Sequence, residues 1–136
     1  MENKRYERTN RLAEAPEMTA READDAFAVC VKTVKRNMAY FGSTVPAAAS
    51  VDGIYPKTES DDWTDGFWTG EMWLSYEETG DPAFKREALA SVADFERRMK
   101  ERVVVDHHDM GFLFSPSCVA AWRLLKREGA MGEEQH

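Results

Sequence analysis

Two carboxylates, two indoles and a phenyl ring fall between two glycines in Asp62-Trp63-Thr64-Asp65-Gly66-Phe67-Trp68-Thr69-Gly70. Indoles beside acids suit a sugar site: flat apolar faces cover the C–H side of a pyranose ring, and carboxylates take its hydroxyls or move protons. The same residues also fit the start of an amphipathic helix, with Asp65 favourable near the positive end of the helix dipole and the aromatics in the core. Composition alone weights those readings evenly. A second cluster, Asp106-His107-His108-Asp109-Met110-Gly111-Phe112-Leu113-Phe114, tips the balance toward a site. Its acids and histidines also look like metal ligands, but adjacent histidines reach one ion poorly, and no third ligand stands at helical spacing or in a Cys-x-x-Cys pair. The sequence therefore calls for no metal and no cofactor.

Together the two motifs resemble the unsaturated glucuronyl hydrolases of glycoside hydrolase family 88. The resemblance continues in Met72-Trp73-Leu74-Ser75-Tyr76-Glu77 and Thr79-Gly80-Asp81, and covers the chain from about Val34 onward. It implies release of a 4,5-unsaturated uronic acid from the non-reducing end of oligosaccharides left by polysaccharide lyases. The ring's vinyl-ether double bond is hydrated: a proton goes to one alkene carbon and water to the other, the resulting hemiketal opens, and the leaving sugar departs. One aspartate can give the proton and then help deprotonate water, so the usual paired-carboxylate spacing of glycosidases need not apply.

Carried over residue by residue, the resemblance makes Asp109 the assisting catalytic aspartate. It places His108 and Phe112 on the pocket lining and Trp63 in a stack on the unsaturated ring. Asp65 either binds substrate, orients the aromatic loop or favours the helix start. The principal acid/base aspartate of the family belongs to a later hairpin that this chain does not contain. Other readings stay open: an unsaturated rhamnogalacturonyl hydrolase-like fragment, a non-catalytic carbohydrate-binding helical protein, or a remnant whose aromatics are only core. Taken without the resemblance, Asp109 reads more readily as a helix or loop cap than as a catalytic acid.

The elements that must position these groups read as all-α. One domain fits in 136 residues, and 25 acids against 18 bases give a net charge of −7, which argues against nucleic acid as a partner. No apolar stretch approaches membrane-spanning length and residues 1–21 are charged almost throughout, so the expected setting is cytoplasmic, without a membrane partner. Cys30 and Cys118 lie inside helical patterns and read as small buried residues.

Residues 1–20 form a polar extension; residues 21–136 carry the domain. A first helix runs over about residues 21–41, with Phe27, Val31, Val34, Met38 and Phe41 on one stripe and Gly42 as its stop. An irregular loop follows over 43–60. A second helix starts within 65–67 and ends near Thr79 before Gly80. Asp81 then caps a third helix over about 82–102, with Phe84, Ala88, Val92, Phe95 and Met99 as its stripe. Val103, Val104 and Val105 suggest a short extended piece. A fourth helix starts at Ser115-Pro116-Ser117, carries Cys118, Ala121, Trp122 and Leu125, and closes at Gly129. No strand pair is expected, and Trp68, Trp73 and Trp122 read as core.

The resemblance implies a toroid of about six antiparallel helical hairpins around a central pocket. That needs about twelve helices of ordinary length, and the sequence supplies four. The chain is therefore expected to be a partial six-hairpin α/α toroid, the N-terminal portion of such an enzyme. It should be inactive alone, and self-associate through helix faces that neighbours would otherwise cover.

Overall fold

In the computed structural model of the chain the described residues are 16–130, so most of the polar extension and the polar close at 131–136 lie outside them. The chain divides into two compact units, up to Val31 and from Lys32 onward.

In the first unit, Thr19 and Glu22 cap helix α1 (Ala20–Phe41) reciprocally. The Glu22 amide donates to Thr19 Oγ1 at 3.2 Å, and the Thr19 amide donates to Glu22 Oε2 at 2.8 Å. This is a capping box, satisfying two backbone donors that a helix start leaves without partners. Phe27 is half-buried. Cys30 is exposed, against the expectation of a buried cysteine.

The second unit begins in α1, where Val34 and Phe41 are buried and Gly42 turns left-handed (φ 61°) to end the helix on the Met38 carbonyl. The next segment is no plain loop. Strands β1 (Val45–Pro46) and β2 (Lys57–Thr58) pair antiparallel, Val45 opposite Thr58 and Pro46 opposite Lys57. Val51 and Ile54 exchange both backbone bonds around Asp52-Gly53, whose φ values of 50° and 77° are those of a tight hairpin turn. An Asp-Gly pair between apolar residues is the sequence signal for such a turn.

Helices α2 (Asp65–Thr79) and α3 (Pro82–Glu101) follow the expected bounds closely. Left-handed Gly80 ends α2 on the Tyr76 carbonyl, and Asp81 accepts the Ala83 amide at 2.9 Å to start α3, with Pro82 in its first turn. Phe84, Ala88 and Phe95 are buried as expected, but the stripe then passes through Arg98, which is fully buried, and Met99 is half exposed. Spacings of four and three from residue 84 give 88, 91, 95 and 98, so the helical phase favours Arg98 over Met99.

After α3 the backbone bends sharply, with Arg102 and Val104 at φ 57° and 45°, and the expected extended piece does not form. The last helix begins at Met110, five residues before its expected start. It comprises α4 (Met110–Phe114), a π-helical turn (Ser115–Val119) and α5 (Ala120–Arg127). Pro116 has no amide to return to the preceding turn, and the wider turn absorbs that loss: the Ala120 amide reaches back to the Ser115 carbonyl.

Trp68, Met72, Trp73, Phe84, Phe95 and Leu113 form the core of this unit. Each fully buried large side chain contributes about 1.5–3 kcal/mol. Trp122, expected in the core, instead lies 39% exposed with Lys126 Nζ 4.7 Å from its ring centre. Among the described residues no helix is long and apolar enough to cross a membrane.

Candidate active site

The turn before α2 is built by its own carboxylates. Asp62 accepts the Thr64 amide and hydroxyl, both at 3.0 Å, while Asp65 Oδ2 accepts the Asp62 amide at 2.9 Å. Four residues are thus wound into a compact corner from which Trp63 projects. One turn later Phe67 stands beside it, ring centres 5.8 Å apart and edge to face.

The two glycines of the motif serve the packing. A Cβ on Gly66 would collide with the Phe112 and Leu113 carbonyls and lie 2.6 Å from Leu113 Cα; one on Gly70 would lie 2.9 Å from Pro116 Cβ. Their absence lets α2 press directly on the start of the last helix. That contact carries Phe112 to Trp63 and Phe67, at 5.7 Å from each ring. Three rings from segments some forty-five residues apart therefore form one patch. Phe67 and Phe112 are 43% and 52% exposed, so the patch is open to solvent rather than enclosed. Two other cavities, of about 640 Å³ and 390 Å³, are lined by other residues and include none of the three rings.

Asp109 stands immediately before α4. Its carbonyl accepts the Phe112 amide at 2.8 Å, but its carboxylate makes no capping bond and instead lies 3.2 Å from His108 Nε2. The Asp109 side chain is 23% exposed and that of His108 92%. The carboxylate is thus reachable from solvent with one imidazole beside it, an arrangement able to exchange a proton.

Asp65 is placed differently from a group that meets substrate. Its side chain is wholly buried and pairs with the equally buried Arg98, Nη1 to Oδ2 at 2.9 Å. Burial pushes its carboxyl up to about 6, against the lowering effects of the Asp62 amide and the Arg98 charge. Its Oδ1 has no partner. Asp65 stands in the first turn of α2 and holds the Asp62 amide, a geometry that fits both the helix-start and the turn-orienting readings.

Sequence reasoning missed Arg98 and His107. Arg98 was hidden by its charge, since only the phase of the α3 stripe marks it as interior. His107 is adjacent to the residue singled out; its Nδ1 accepts the Asp109 amide at 3.2 Å. Among the described residues no three His, Cys, Asp or Glu side chains are grouped to hold a metal ion.

No family model matches the chain. The unsaturated chondroitin disaccharide hydrolase of Streptococcus pneumoniae is 40% identical over 114 residues, which are 84% of this chain and 29% of that protein. The unsaturated glucuronyl hydrolase of a Bacillus species is 42% identical over 95 residues, 70% of this chain and 25% of that one. Over most of its own length the chain is homologous to a part of the unsaturated glucuronyl hydrolases. Among solved structures, the unsaturated glucuronyl hydrolase of Streptococcus agalactiae superposes with a TM-score of 0.80 at 38% identity, covering 84% of this chain and 30% of that one. A variant of it, solved in complex with dGlcA-GalNAc6S, gives 0.80 at 36% identity over 89% of this chain and 33% of that one. The chain thus spans about 30% of the length of the unsaturated glucuronyl hydrolases it matches, and its helices form part of their α/α toroid.

Proposed function

We propose that this chain supplies part of the sugar site of an unsaturated glucuronyl hydrolase, which releases a 4,5-unsaturated uronic acid by hydrating its vinyl-ether double bond. The observation that carries this reading is the single patch formed by Trp63, Phe67 and Phe112 with the solvent-reachable Asp109 one turn behind Phe112. Two segments that resemble sugar-site motifs in the sequence meet at one surface, which the core-only alternative does not require.

In this reading Trp63 and Phe112 take the apolar face of the unsaturated ring. Asp109 assists proton transfer at the alkene, with His108 Nε2 holding the carboxylate on the exposed side. Asp65 orients the aromatic turn and does not touch substrate. The names of the streptococcal relatives favour an unsaturated disaccharide of the chondroitin type as ligand.

Tryptophan fluorescence titrated with an unsaturated chondroitin disaccharide tests the site. Saturable quenching that disappears in Trp63→Ala is expected. A flat titration of the unaltered chain removes the sugar-binding reading.

A further inference from the structure

We propose that Arg98 is the positioning residue that sets the spacing between the two halves of the site, its buried guanidinium clamping the turn that carries Trp63 to the turn that leads into Asp109. The proposal rests on the reading of Trp63 and Asp109 given above for what that spacing serves; the clamp itself stands on geometry.

On one side, Arg98 Nη1 donates to Asp65 Oδ2 at 2.9 Å, to the Asp62 carbonyl at 3.1 Å and to Ser60 Oγ at 3.4 Å. These acceptors bracket Trp63 in the chain. On the other side, Nε donates to the Val103 carbonyl at 3.4 Å and Nη2 to the Val104 carbonyl at 3.3 Å. A planar fork with fixed donors can face both turns at once, whereas an ammonium on a flexible stem cannot.

The second turn is connected onward to the acid. The Val104 carbonyl also meets His107 Nε2 at 3.2 Å, and His107 Nδ1 lies 3.2 Å from the Asp109 amide nitrogen. Since Nδ1 accepts the Asp109 N–H, the ring proton belongs on Nε2 and is donated to Val104. Arg98, Val104, His107 and Asp109 are thus linked by consecutive hydrogen bonds. Val104 itself sits at φ 45°, a region that a β-branched residue avoids unless its surroundings hold it there. The Arg98 and His107 bonds to its carbonyl are what hold it. The guanidinium lies 5.7 Å from the Phe95 ring in the core, but a charge with no exposed atom is costly to bury, so donors that reach both turns are better explained by geometry than by stability.

The test compares the chain with Arg98→Lys, keeping Arg86→Lys, an exposed position on the same helix, as control. Amide and indole signals in proton–nitrogen spectra report each turn separately, and sugar affinity is read by tryptophan fluorescence. In Arg98→Lys with helical content retained, the Trp63 indole and the Asp109 amide should both shift, and affinity should fall by about tenfold, as when one well-placed contact is lost. Arg86→Lys should move neither. Shifts confined to one turn, or unchanged signals at both in a folded Arg98→Lys, overturn the clamp. If the unaltered chain fails to bind sugar, the functional reading fails, while the paired shifts still decide the clamp. Arg98→Met is the harsher variant, and Arg98→Lys keeps the question answerable if it does not fold.

Discussion

At the scale of single residues, two carboxylates that look alike in the sequence are set in opposite environments. Asp109 keeps contact with water and makes no capping bond, so its removal should cost chemistry and not structure. In a full-length enzyme carrying this segment, Asp109→Asn should retain its melting temperature and lose most turnover; an asparagine variant working at the unaltered rate would end the assignment. Asp65 is interior, and burial raises its carboxyl from about 3.8 to about 6. A raised acid binds its proton more tightly in the folded state. Its contribution is therefore fully present below the unfolded value and lost as pH rises through about 6. Charges facing it are those of Arg98 and Asp62. The melting temperature of the chain relative to Asp65→Asn should accordingly fall between pH 4 and pH 7. A difference that stays level or grows across that window would show that the Arg98 charge outweighs burial.

At the scale of elements, the site depends on how closely α2 approaches the last helix, and two glycines set that distance. Gly66→Ala should separate them, because the clash is with backbone on the far side and no side chain can swing away. A loss of about 1–3 kcal/mol, the usual range for overpacking, is expected together with loss of Trp63 quenching by sugar. Gly70→Ala meets a proline side chain at a less severe distance and should cost less. Denaturant unfolding of the two variants checks the order; a Gly66→Ala chain as stable as the unaltered one would contradict the packing described. The helix bounds were legible because their signals are local: the Gly80-Asp81-Pro82 stop and start, and the αL glycines at 42, 80 and 129. The Asp52-Gly53 hairpin was equally local and went unread because proline and small residues around it suggest a loop. The early start of the last helix was not legible. Ser115-Pro116 is an ordinary helix opening in isolation, and only a π-helical turn lets a helix run through it.

At the scale of the whole molecule, the described helices match part of the α/α toroid of the solved relatives, and several apolar side chains on them are uncovered. Leu74 and Met99 are each about half exposed, and Ile54 and Val51 on the hairpin are more exposed still. Apolar surface of this extent favours association. The elution volume in size-exclusion chromatography should therefore decrease as concentration rises, and a constant monomer volume would count against it. Incubated with an unsaturated chondroitin disaccharide, the chain as given should leave the alkene absorbance unchanged; measurable turnover would refute the expectation that an essential aspartate lies elsewhere. The sequence by itself determined the all-α class, the helix ends and the two motifs that resemble a sugar site, because caps, stops and residue type act over a few positions. Only the tertiary structure decided that Trp63, Phe67 and Phe112 share one surface, that Asp65 turns inward and that Arg98 is buried. Those outcomes depend on contacts between segments some thirty to fifty residues apart, where a missing Cβ or one guanidinium sets a distance that no local pattern encodes.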